Sequence, residues 1–152
     1  MGIEIIAIGK QHDPLLKDAI LRYEKRLLKP FTLTWTLLAH SPREAAIAAE
    51  DESQRILSRI PNQAIVILLD ERGDTLDSPA LARKIDTFTQ RAVPIIFVIG
   101  GSYGVSEAIF QRANLVLSLS KLVFPHQLVR LLLIEQLYRA QSILHGQPYH
   151  HE

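Results

Sequence analysis

Ile95-Ile96-Phe97-Val98-Ile99-Gly100-Gly101-Ser102-Tyr103-Gly104 is an unbroken apolar run that stops at a glycine cluster. A strand with one wet face alternates polar and apolar residues. A strand without polar positions must be covered on both sides, as in parallel sheets. Glycines at its end let the backbone take positive φ and approach a ligand closely. The same pattern recurs outward along the chain. Ala64 to Leu69 is a continuous apolar run ending at Asp70, and Ile3 to Ile8 is a β-branched run ending at Gly9. Phe31 to Leu38 alternates as a strand does, and Leu115 to Leu119 reads as a last short strand.

Helical patterns lie between these runs. Leu15 to Leu28 has helical spacing, with Asp13 as N-cap, Pro14 at the first helical position and Pro30 as the stop. Ser41, Pro42 and Glu44 form a capping-box pattern for a helix reaching about Arg59. Ser78 with Pro79 opens a third helix, and His126 to Leu144 is the longest. Apolar strands alternating with helices predict an α/β fold with a mostly parallel sheet, covered on both faces. Ligands of such sheets bind beyond the carboxyl ends of the strands. Three loops are thereby nominated: the one after Asp70, the one after Ile99, and Ser120 to Pro125.

A chain of 152 residues is enough for one domain, taken as residues 1–152. There is no cysteine, so neither a disulfide framework nor a thiolate metal site is available. No charged segment followed by an apolar run opens the chain, and no apolar stretch reaches membrane-spanning length, so a cytoplasmic protein is expected. Seventeen basic residues against sixteen acidic give a net charge of +1, without the excess of a basic nucleic-acid-binding domain. Any contact with RNA must be local. The longest helix carries Leu128, Val129, Leu131, Leu132, Leu133, Ile134 and Leu137, which cover more of its circumference than one core-facing stripe needs. The surplus suits a fully buried helix, or one that packs on a twin subunit; the second is the expectation.

Several motifs carry possible chemistry. The glycine cluster lacks the spacing of the dinucleotide fingerprint, with Leu119 and Ser120 where an acid should follow. It lacks the terminal Gly-Lys-Ser/Thr of a P-loop. Gly100-x-Ser102-x-Gly104 does fit a nucleophile elbow, with His126, His145, His150 and His151 as later histidines and Glu107, Glu135 and Glu152 as the only later acids. A small serine hydrolase using Ser102 is therefore one alternative, and a plain turn another. Ser118 to His126 offers hydroxyls and apolar side chains between a strand and a helix, a surface able to cradle an adenine. His126 and Arg130 lie four apart and share a helix face. Arg22, Lys25, Arg26 and Lys29 form a basic stripe on the first helix, either a solvated face or a phosphate contact. No zinc-ligand spacing appears, so no metal is expected.

Taken together, Ile99-Gly100-Gly101-x-x-Gly104, Leu117-Ser118-Leu119-Ser120, Phe124-Pro125-His126-Gln127-Leu128-Val129-Arg130, Ile134-Glu135-Gln136-Leu137-Tyr138-Arg139-Ala140 and Pro148-Tyr149-His150 resemble the RlmH family of SPOUT-class methyltransferases. The likeness spans the chain, dense from about Phe97 onward and loose from Leu15 to Arg59. It implies a parallel-sheet SPOUT fold with a C-terminal trefoil knot, and a homodimer through the C-terminal helix. It implies S-adenosylmethionine held by Leu69, Gly100 and the segment Leu119, Ser120, Lys121, Leu122, Val123 and Phe124. The implied reaction is methylation at N3 of a pseudouridine in 23S rRNA on the assembled ribosome. Within that reading His126 and His150 are the candidate bases. Tyr149 orients the base, and Arg130 or Arg139 stabilises the imide oxyanion. RNA contact is expected from Arg22, Lys25, Arg26, Lys29, Arg139 and His151. The family usually ends Tyr-His followed by Arg or Lys; His151 in that place makes RNA binding weaker or more pH-dependent, since histidine titrates near neutrality. A ribosome-associated RNA-binding module without activity is the non-enzyme alternative.

Overall fold

The computed structural model describes residues 2–151; Glu152, one of the acids considered above, lies outside the described residues. Five strands, β1 (Ile3–Ile8), β2 (Leu33–Leu38), β3 (Ile65–Thr75), β4 (Ile95–Ile99) and β5 (Leu115–Ser118), form one sheet in the order β2-β1-β4-β3-β5. Every neighbouring pair is parallel. The connections are the helices α1 (Pro14–Glu24), α2 (Ala45–Leu57), α3 (Ser78–Thr89) and α4 (Glu107–Arg112), and α5 (His126–Leu144) follows the last strand.

The two-residue period of a strand explains the layering. Ile3, Ile5 and Ala7, with Ile65, Ile67, Ile95, Phe97 and Ile99, pack under α1, α3 and α5. Ile6, Ile8, Val66, Leu68, Ile96 and Val98 pack under α2 and α4 through Ile56 and Ile109. β4, central in the sheet, is buried at all five positions. This is the doubly covered parallel sheet that the apolar runs predict.

The strand expected from Phe31 starts at Leu33, and three further boundaries differ from expectation. The first helix ends at Glu24 rather than Leu28. Beyond it the Gln141 side chain takes over the backbone, accepting from Leu28 N and donating to Arg26 O, while Leu27 is buried. Only Arg22 of the basic stripe is therefore helical; Lys25 caps the helix, and Arg26 and Lys29 sit in the following turn. The second helix begins at Ala45, not at Ser41. Ser41 N is drawn instead to the buried Glu52 carboxylate, and its hydroxyl closes a local turn by accepting from Arg43 N. The third strand runs on past Leu69 to Thr75, with a break in register. Leu69 and Asp74 both face Leu117 of β5, so the residues between them bulge out of the ladder. Gly73 is in direct contact with the Val116 carbonyl, where any Cβ would collide with backbone.

Candidate functional site

The strands being parallel, their carboxyl ends share one edge. There the bulge of β3, the turn after β4 and the loop after β5 enclose a cleft of about 540 Å³. The three loops nominated from the sequence thus meet in one place. Leu69, Gly100, Leu119, Ser120, Leu122, Val123 and Phe124 all line the cleft. Lys121 does not; its side chain is exposed beside the wall.

Local chemistry fixes each loop. Gly104 N donates to Gly101 O at 3.0 Å, and Gly104 has φ +78°, so the glycine cluster is a tight turn. A Cβ on Gly100 would lie 2.8 Å from Val105 Cγ1, which leaves no room for a side chain at the floor of the cleft. Beneath Gly101 lies Glu52 Oε1, 2.8 Å from where a Cβ would stand. The third loop is braced by its serines: Ser118 Oγ donates to Ser120 O at 2.7 Å, and Ser120 Oγ accepts from Leu122 N at 3.0 Å. Leu122 and Val123 are left largely exposed at its crest. In the bulge, Arg72 forms a two-point ion pair with Asp70 at 2.9 and 3.0 Å. Burial pushes the Asp70 carboxyl up, but the bonds from Arg72 outweigh it and leave it below its usual value.

His126 borders the cleft, at the first turn of α5. Its pKa is lowered by burial first, then by Arg130 and His40, with Glu52 opposing. The ring is therefore neutral at neutral pH and keeps a free lone pair. His40 stacks edge-on against it, centroids 5.8 Å apart.

Arg130 requires a correction. Its side chain shares the helix face of His126 but is fully buried. The guanidinium donates to the carbonyls of Ile8, Gly9 and Gln11 and to His12 Nδ1, at 2.9 to 3.1 Å. It ties α5 to the loop after β1 instead of facing a substrate. Gln127 helps, donating to Gln11 O and accepting from Asp13 N.

The remaining expected site residues form a second group. The tail after α5 folds back on the helix, where the Tyr149 hydroxyl lies 3.3 Å from that of Tyr23 and 3.4 Å from Glu135 Oε1. No hydrogen bond joins Tyr149 to His126 or His150 among the described residues, and its hydroxyl braces the tail against α1 and α5. Arg139, expected at RNA, is paired with Glu135. His150 lines a separate cavity of about 690 Å³ with Leu117, Leu119 and Phe124, which also wall the cleft. Arg22, Lys25, Arg26, Lys29 and His151 are exposed. The first four lie toward the end of α1, and hence toward the sheet edge opposite the cleft. Leu128, Leu131 and Leu132 of α5 stay only half-buried in the single chain. No hydrogen bond joins Ser102 to a histidine among the described residues. The Asp70–Arg72 pair at the cleft, Glu52 beneath Gly101 and His40 against His126 were not foreseen; only the tertiary fold places them there.

The family model described as "Predicted SPOUT methyltransferase" matches residues 1–150. The chain is 41% identical over 156 residues to the "Ribosomal RNA large subunit methyltransferase H" of Geobacter metallireducens, covering 99% of both chains. Among solved structures, the SpoU methyltransferase AviRb from Streptomyces viridochromogenes, in complex with the cofactor AdoMet, aligns with 93% of this chain at a TM-score of 0.48 and 13% identity. This chain spans 58% of that one.

Proposed function

The chain belongs to the SPOUT methyltransferase family, and on that premise we propose that it methylates N3 of a pseudouridine in large-subunit (23S) rRNA on the assembled ribosome, using S-adenosylmethionine. The observation that carries the reading is the convergence of three strand-end loops on one cleft. The residues present fit that cofactor. Gly100 leaves the floor clear for a close backbone approach, and Leu119, Leu122, Val123 and Phe124 offer apolar faces to an adenine. When bound, S-adenosylmethionine supplies an electrophilic methyl group on a sulfonium and leaves as a neutral thioether.

The protein's part is to hold the nucleophile in line, and such positioning supplies roughly 7–11 kcal/mol of barrier reduction. The imide N3 must also lose its proton. A histidine placed within about 3 Å of that proton contributes about 10²–10⁴-fold. His126, neutral and beside the cleft, has the lone pair for this task; His150 is the other candidate. Arg130 acts at one remove, holding the start of α5, and therefore the loop before it, against the end of β1. The half-buried leucines of α5 support a homodimer through that helix, and the trefoil knot of the C-terminal part belongs to the same proposal. The exposed residues Arg22, Lys25, Arg26, Lys29 and His151 are the proposed contacts to ribosomal RNA, and the site of action is the cytoplasm.

Transfer of a labelled methyl group to ribosomes lacking the modification, beside free 23S rRNA, tests the reading. Label on ribosomal 23S rRNA that maps to a pseudouridine is expected. Label on neither substrate, from folded protein with cofactor bound, refutes the proposed substrate.

A further inference from the structure

Glu52 is an acid that the fold seals inside, with only 3% of the residue exposed. One of its oxygens is satisfied, since Ser41 N donates to Oε2 at 2.8 Å. The other, Oε1, is buried without a hydrogen-bond partner. His40 Nδ1 lies 3.9 Å from Oε2, on a half-exposed ring and beyond hydrogen-bond reach. No lysine or arginine pairs with Glu52 among the described residues. A buried carboxylate is ordinarily paired with a cation and bonded at both oxygens. Here the cation and one of the bonds are missing, an exception that calls for a physical reason.

The position of the orphaned oxygen supplies one. Oε1 lies 2.8 Å from where a Cβ on Gly101 would stand. Gly101 also lines the cofactor cleft, so glycine backbone is what separates the carboxylate from the cleft there. Ile8 Cγ2 packs at the same point, 3.1 Å from that Cβ position, and offers Oε1 no bond. In such surroundings a charge is screened far less than in water and acts over several ångströms. The corner is also the reacting end of the cleft. His40 stacks on His126, the candidate base. The transferred methyl must face the nitrogen whose proton His126 takes, so the sulfonium that carries it lies toward this end. Burial first, then Arg130 and His40, keep His126 neutral, so it brings no positive charge of its own. The Asp70 carboxylate at the cleft is already paired with Arg72.

We infer that Glu52 is an anionic floor for a sulfonium: acting across Gly101, it favours the positively charged methyl donor over the neutral thioether that transfer leaves behind. The inference rests on the S-adenosylmethionine reading of the cleft and adds a selectivity to it. Adenine, ribose and the amino-acid end are common to donor and product, so contacts to them cannot tell the two apart. Selectivity is a difference of two affinities, and a buried charge that meets a cation in one ligand and no charge in the other provides it. Glu52 is a specificity residue that acts at a distance, since Gly101 stands between it and the ligand. The result is a site that retains the donor and releases the spent product.

Equilibrium binding of S-adenosylmethionine and S-adenosylhomocysteine to the full chain tests this. It is measured by calorimetry at mildly alkaline pH, where histidine is neutral. Glu52→Gln keeps an acceptor for Ser41 N and removes the charge. The donor is expected to bind this variant about tenfold more weakly, and the product within about twofold of wild type. Retained product affinity is also the control for an intact fold. A second variant, His40→Lys, leaves Glu52 in place and sets a permanent cation beside it; the same loss of preference for the donor is expected. If Glu52→Gln misfolds, the ratio in His40→Lys decides. Equal weakening of both ligands in folded Glu52→Gln assigns the contact to the ammonium they share and overturns the inference. A donor-to-product ratio unchanged in both variants overturns it as well, and leaves the cofactor reading standing. A folded wild type that binds neither ligand refutes the cofactor reading, and the inference falls with it.

Discussion

Arg130 carries a permanent charge into the protein interior, and the backbone takes the part of the solvent. Three carbonyls and one imidazole nitrogen surround its guanidinium. Arg130→Met removes the donors and strands the buried carbonyls, so it is expected to destabilise the protein by about 3 kcal/mol. Arg130→Lys recovers little, because an ammonium cannot span the same fork. Urea denaturation measures both, and a loss under about 1 kcal/mol would contradict this reading of the clamp. The histidines around it respond to pH in a defined sense. Burial and Arg130 lower the pKa of both His12 and His126, with Lys17 adding for His12 and His40 for His126. The native state then binds fewer protons than the unfolded chain below the ordinary histidine value of about 6.5. Stability is therefore expected to be flat above that value and to fall as pH drops through it. Melting curves at pH 7.5 and 5.5 check the sign, and the fall is expected to shrink in His126→Gln. Stability that rises on acidification would contradict the assignment.

At the level of elements, the apolar runs read correctly because burial on both faces leaves no alternative pattern. β4 and α5 have the bounds their sequences predict. What failed to show in the sequence was set by distant partners. Gln141 cuts α1 short, and Glu52 draws Ser41 away from its expected cap. The bulge of β3 was equally hidden, since Asp70 to Gly73 look like the start of a loop. Only pairing with β5 shows that the strand resumes, and the bulge is what lifts Asp70 and Arg72 over the cleft. Gly73 makes the resumption possible by allowing contact with the Val116 carbonyl. Gly73→Ala forces backbone apart there and is expected to cost about 1–3 kcal/mol, within the range of an overpacked site. Cofactor affinity should fall with it, because the bulge shapes one wall. Unchanged stability and affinity would show that the β3–β5 ladder tolerates the strain.

For the whole molecule, the site was more legible than its working parts. Parallel strands place all their carboxyl ends at one edge, so three separate loops could be assigned to one cleft before their adjacency was known. The resemblance carried the residues onto those loops, and only Lys121 falls outside the wall. Side-chain roles were not legible in this way. His126 and Arg130 share a helix face, yet one borders the cleft and the other is sealed inside, because that depends on what packs above each. The half-buried leucines of α5 leave an apolar face on the single chain. Leu131→Glu with Leu132→Glu is expected to shift a dimer to monomer in sedimentation, and a wild type that sediments as a monomer would refute the proposed interface. If the three loops form a cofactor site, equilibrium binding of S-adenosylmethionine must distinguish the wild type from Gly100→Val. Saturable binding is expected for the wild type, weakened at least tenfold in the variant, whose Cβ has no room beside Val105. Equal affinity in the two proteins, or none in the folded wild type, would contradict it.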